Sequence, residues 1–311
     1  VTAFDRGGFA LSLAGLMLVA AGAVAFAQAR TSAPEPPPEL HAMDATVWAG
    51  PRLSSGQRGG VVVLVPKSRA PGDRFPLLIA MHGLGETWRG PDRGAWGWVR
   101  DYLLPRADRA LRDAPLDAAD FENLVEPTRL AALNQSLRVD RYGGLVVLLP
   151  FTPDVRAHLG GPSHRAFDRW LNVELVSRAR RELPVIATRE ATGIDGVSLG
   201  GLHALWTGLG HPETFGVVGA LQPAVRGRQP QVLSRFAASS RRPSQRIRLV
   251  TSTADALRED VAALDRVMGA AGIAHEFKLL QGPHDYVFNR GPGSIEMLLF
   301  HDRALRGRVA P

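Results

Sequence analysis

Asp195-Gly196-Val197-Ser198-Leu199-Gly200-Gly201 contains a G-x-S-x-G motif set between an apolar run and a helical pattern. Residues 193–197 read as a strand and residues 199–209 as a helix. A serine at such a junction stands on a tight turn with strained dihedrals, and its Oγ clears the carboxyl edge of a sheet. Glycines two positions to either side let strand and helix backbones pass without a Cβ clash. The helix that starts at Leu199 points its first N–H groups at the same place, where they favour developing negative charge. Ser198 is therefore the candidate nucleophile.

Outward from this turn, short β-branched runs alternate with helical stretches. Runs at 60–65, 75–81, 144–149, 215–221, 246–251 and 275–280 read as further strands. Several are continuously apolar, which suits strands buried on both faces of a parallel sheet. Helical patterns at 168–183, 199–209, 257–271 and 294–305 end at or near Pro184, Gly210, Gly272 and Gly307. This alternation predicts an α/β fold, a mostly parallel central sheet with helices on both faces, in one domain over 40–311. The segment 86–142 exceeds a simple crossover. It carries Trp88, Trp96, Trp98 and Tyr102, then a helical region over 106–137. Either a long helix packs the tryptophans into the core, or an enlarged loop lets Trp88, Trp96 and Trp98 line a substrate pocket.

A serine is a weak nucleophile at neutral pH and needs a base and an orienting acid. Asp255 follows the strand at 246–251, and His284 follows the strand at 275–280. The order Ser, Asp, His, each beyond a successive strand, fits an open α/β sheet whose site lies at the strands' carboxyl ends. Asp285, beside the histidine, and Asp260, within a predicted helix, are the rival acids. An oxyanion hole needs two backbone donors: Leu199 N–H, and one from His82-Gly83-Leu84-Gly85, where Leu84 is expected and Gly83 is the alternative. His82 reads as a loop buttress through hydrogen bonds, with contact to substrate or a second basic role as the competing readings. The other histidines lack the paired spacing of a zinc site, so neither metal nor cofactor is expected.

Composition narrows the remaining choices. The 311 residues are 45% hydrophobic and 22% charged, with no cysteine, so disulfides, thiolate metal sites and cysteine nucleophiles are excluded. The formal charge of +7 comes almost wholly from arginine, since Lys67 and Lys278 are the only lysines. Its clusters, around Arg178, Arg180 and Arg181 and around Arg241, Arg242, Arg246 and Arg248, are not interleaved with stacking aromatics, and no nucleic-acid partner is expected. Residues 7–29 carry no charge and end in the small-x-small pattern Ala27-Gln28-Ala29, as a signal peptide over 1–29 does. A stretch this long also spans a bilayer, so a retained membrane tether is the alternative. The proline-rich 30–39 then reads as a spacer. Export, to a periplasm or the outside, is the expectation in either case.

With these residues in view, the chain resembles the α/β-hydrolase superfamily, and within it the group of esterase-D, feruloyl esterase and enterochelin esterase. The likeness lies in Gly196-Val-Ser-Leu-Gly-Gly-Leu-His-Ala-Leu, in His211-Pro-Glu-Thr-Phe-Gly, and in His284-Asp-Tyr before a terminal amphipathic helix. It implies a serine esterase acting on a small-molecule or cell-envelope ester, with Ser198, Asp255 and His284 as its triad. The long 86–142 segment departs from a compact member. Acyltransferases and serine peptidases share this superfamily, and a binding protein that lost the chemistry is the reading from another class.

Overall fold

A computed structural model describes residues 39–67, 69–237 and 243–310. The leader expected over 1–29, all but the last residue of the 30–39 spacer, and Arg241 and Arg242 lie outside the described residues. Seven strands stand where the apolar runs predict them, with an eighth ahead of them. They are β1 (Met43–Arg52), β2 (Arg58–Pro66), β3 (Leu77–Met81), β4 (Val146–Pro150), β5 (Thr192–Gly196), β6 (Val217–Leu221), β7 (Arg246–Ala254) and β8 (Glu276–Pro283). They form one sheet in the order β1-β2-β4-β3-β5-β6-β7-β8. The β1–β2 and β2–β4 pairings are antiparallel, and every pairing from β4 through β3 to β8 is parallel. β1 escapes the sequence because Gly50-Pro51 reads as a turn; in the structure the ladder is irregular between Ala49 and Arg52.

Every residue of β3, β4, β5 and β6 is buried, as continuous apolar strands between two helical layers must be. The strand pleat divides the core in two. Val62, Leu64, Leu78 and Ala80 face the layer containing helices Leu104–Asp113 and Ser294–Leu305. Val61, Val63, Leu77 and Ile79 face the layer that includes Leu199–Gly210 and Arg258–Ala270.

Three helical expectations change. The 106–137 region is two helices, Leu104–Asp113 and Pro127–Val139, because Pro115 and Pro127 interrupt it and Pro127 opens the second. The helix expected from residue 168 begins earlier, at Pro162–Arg169, and runs through the π-helical turn Trp170–Leu175 into Val176–Glu182. The terminal helix Ser294–Leu305 is buried at every residue rather than amphipathic. Its polar groups are paired: Glu296 with Arg129 and Arg248, His301 with Asp195, and Asp302 with Arg303 and Arg306. Among the described residues no helix is long and apolar enough to cross a membrane.

Candidate active site

Ser198 joins β5 to the helix Leu199–Gly210 with φ 56° and ψ −112°, a left-handed backbone that a non-glycine residue holds only when its surroundings impose it. Its neighbours impose it here. Val197 N–H donates to Met81 O at 3.1 Å, and Ser198 N–H donates to Leu221 O at 2.9 Å, so β3 and β6 grip the turn from both sides. The flanking glycines are obligatory. A Cβ at Gly200 would lie 2.1 Å from Met81 O, and one at Gly196 would lie 2.5 Å from Gly200 C.

The acid and base come together through strand register. In the parallel β7–β8 pair, Ala254 stands opposite Pro283, and the next residue on each strand is Asp255 and His284. His284 Nδ1 donates to Asp255 Oδ1 at 2.7 Å. That bond fixes the proton on Nδ1 and leaves Nε2 as the basic nitrogen. Asp255 also accepts from Leu257 N–H at 2.8 Å and from Thr251 Oγ1–H at 2.7 Å. Burial opposes its ionisation, but the hydrogen bonds from His284, Leu257 and Thr251 outweigh it and hold the carboxyl below its ordinary pKa. The rival acids stand elsewhere. Asp285 caps the short helix Tyr286–Phe288 through Val287 and Phe288 N–H, and Asp260 accepts from Arg226.

Ser198 and His284 line one cavity of about 310 Å³, together with Gly83, Leu84, Glu86, Tyr102 and Tyr286 among others. The His82 loop lies against Ser198, since a Cβ at Gly83 would sit 3.8 Å from Ser198 Cβ. Gly83 N–H is engaged, donating to Tyr102 Oη at 3.1 Å. Leu84 and Leu199 are the first residues of their helices, where an N–H has no acceptor within the helix. A groove of about 820 Å³, lined by Trp48, Arg58, Arg169 and Arg178 among others, is larger but contains none of these residues.

His82 and the tryptophans fall outside the cavity lining. His82 is buried; its Nε2 accepts from Thr152 N–H at 2.9 Å and its Nδ1 donates to Gly83 O at 2.9 Å. Burial lowers its pKa to about 4, so it is a neutral strut between β4 and the loop. Trp98 is wholly buried, with its ring edge-on to Tyr102 at 4.8 Å. Trp96 is partly buried against the core with Arg100 over its ring, and Trp88 is 74% exposed. Residues 84–100 fold into three short helical turns, which place Trp98 in the core and Trp88 out in solvent, so of the two readings of this segment Trp98 follows the core one and none of the three lines the cavity beside Ser198.

Two further residues, Glu86 and Tyr286, have no role assigned from the sequence, Tyr286 entering there only as the end of His284-Asp-Tyr. Both are in the cavity lining, and Tyr286 Oη donates to Glu86 Oε1 at 2.8 Å. Their separation of 200 residues left no local pattern to read. No group of three or more histidine or acidic side chains suited to a metal occurs among the described residues.

Residues 149–288 match the family model of putative esterases. That esterase-family segment holds the Ser198 turn, Asp255 and His284. No curated protein matches the sequence. Among solved structures, the chain is similar to S-formylglutathione hydrolase from Staphylococcus aureus, at 13% identity and a TM-score of 0.57, over 85% of this chain and 98% of that one. It is also similar to a fluorophosphonate-binding serine hydrolase from Staphylococcus aureus, at 13% identity and 0.59, over 84% and 98%. A feruloyl esterase module from Clostridium thermocellum, complexed with sinapinate, matches at 12% identity and 0.57, over 84% and 89%. At these identities the likeness is one of fold, that of the α/β-hydrolases. The family match is confined to the segment 149–288, a little under half of the 311 residues.

Proposed function

We propose that this protein is an exported serine esterase that hydrolyses carboxylic esters through an acyl-enzyme on Ser198. The observation that carries the reading is the register that sets His284 against Asp255 at 2.7 Å on the rim of the cavity that Ser198 lines. Ser198 Oγ attacks the acyl carbon while His284 Nε2 takes its proton, and Asp255 stabilises the resulting imidazolium. The charge that develops on the carbonyl oxygen is received by Leu199 and Leu84 N–H. His284 then returns the proton to the leaving alcohol. Water, activated by the same imidazole, releases the acid and restores Ser198. Every group required is supplied by the chain. Export rests on the apolar 7–29 stretch and its Ala27-Gln28-Ala29 end.

Ser198→Ala should lower turnover of p-nitrophenyl acetate by about 10⁴- to 10⁶-fold with the fold retained, and should abolish labelling by a fluorophosphonate probe. Hydrolysis by the variant at the parent's rate would overturn the assignment.

A further inference from the structure

One buried carboxylate stands between the loop that carries the oxyanion donor and the loop that carries the base. Glu86, two residues beyond Leu84, is 1% exposed. Its Oε2 accepts from Tyr102 Oη–H, and the Tyr102 oxygen accepts in turn from Gly83 N–H at 3.1 Å. Its Oε1 accepts from Tyr286 Oη–H at 2.8 Å, and Tyr286 lies two residues beyond His284. The packing leaves this unit little slack. A Cβ at Gly97 would lie 2.4 Å from Glu86 Cγ, and one at Gly85 would lie 3.0 Å from Tyr286 Oη. Arg89 closes the outer side, donating to Tyr286 Oη at 3.2 Å while its other end meets Asp101.

Packing alone does not explain an acid here. Burying a carboxylate costs free energy that hydrogen bonds must offset, and an apolar side chain of similar volume fills such a space without that cost. What an apolar side chain lacks is two acceptor oxygens facing two separate loops. Tyr102 and Tyr286 both remain donors at any ordinary pH: burial and Glu86 push the first well above its usual value and the second to about 12.

We propose that Glu86 is a positioning residue for the reaction, holding Tyr102 and Tyr286 on its two oxygens and so fixing the separation of the Leu84 donor from the His284 base. The inference rests on the esterase reading above. Glu86 acts through the two tyrosines and has no covalent or proton-transfer part of its own.

The test compares Glu86→Gln, Tyr286→Phe and the double variant in the full chain, with kcat and KM for p-nitrophenyl acetate read separately beside melting temperature. Glutamine keeps the volume but presents one acceptor instead of two. Its kcat should fall about 10- to 100-fold with KM changed less than about twofold, the pattern of misplaced groups rather than lost binding. Tyr286→Phe should lower kcat in the same direction, and the double variant should be no slower than Glu86→Gln, because both changes cut one chain of contacts. A folded Glu86→Gln with parental kcat would overturn the inference, as would losses that multiply in the double variant. If Glu86→Gln does not fold, parental kcat in Tyr286→Phe overturns it and a fall in kcat at constant KM supports it. Ser198→Ala is measured alongside. Activity surviving there removes the esterase reading itself, whereas an inactive Ser198→Ala beside a fully active Glu86→Gln removes only the positioning role.

Discussion

Asp255 and His284 are joined at 2.7 Å because Ala254 and Pro283, the residues before them, are partners in a parallel ladder. The pairing of β7 with β8 thus does the work of aligning an acid with a base. Asp255→Asn preserves shape but offers an amide that can hold the imidazole in the wrong tautomer. We expect kcat for p-nitrophenyl acetate to fall on the order of 10⁴-fold with little change in melting temperature. A loss under about tenfold would show that another group orients His284.

The turn that carries Ser198 tolerates no added methyl group. Gly200→Ala would place a Cβ 2.1 Å from Met81 O and 2.7 Å from His82 O, both backbone atoms with nowhere to go. Destabilisation of about 3 kcal/mol or more, or failure to fold, is expected in urea unfolding. Gly269→Ala is the control, since that site in the helix Arg258–Ala270 has nothing within 4 Å. There the same methyl should stabilise by up to about 1 kcal/mol.

The tryptophans of the 86–142 segment should separate by burial rather than by any shared role. Trp98→Ala removes a wholly buried indole and should cost about 3–5 kcal/mol. Trp88→Ala removes a side chain that is largely in solvent, and should change stability by less than about 0.5 kcal/mol. Chemical denaturation of the two variants checks both figures, and Trp88→Ala should keep the parental kcat.

Acid should weaken the fold through its buried histidines. Burial lowers His82 and His203 to about 4 and His164 to about 3, against an ordinary value of 6.5. Between those values the unfolded chain binds protons that the folded chain refuses. Stability is therefore complete above pH 6.5 and declines as pH falls toward 4, by about 1.4 kcal/mol per pH unit for each such histidine. Melting temperature followed from pH 7 to 4.5 should drop steeply. His203→Gln, which can still donate to Pro153 O, should shallow the slope; an unchanged slope would remove His203 from this account.

The sheet was legible because its middle strands are unbroken apolar runs, and the Ser198 turn because its glycines flank a strand-to-helix change. Asp255 and His284 could be singled out by position, each just beyond a strand. Less was legible where meaning depends on distant contacts. β1 alternates only weakly and contains Gly50-Pro51, and Glu86 gains its tyrosine partners across 16 and 200 residues. The tryptophans stayed undecided because an aromatic residue in a long insertion suits a wall or a core equally well. Only the path of the backbone through Pro91, Pro105 and Pro115 decides between them.

β8 is the outermost strand of its end of the sheet and is held by β7 alone. His284 thus follows an edge strand, while Ser198 follows β5, which is paired on both sides near the centre of the sheet. Marginal strands open locally at lower cost than the whole domain. Catalytic power should accordingly vanish in mild denaturant ahead of the bulk circular-dichroism signal, so that turnover reports fraying at this margin before the interior yields.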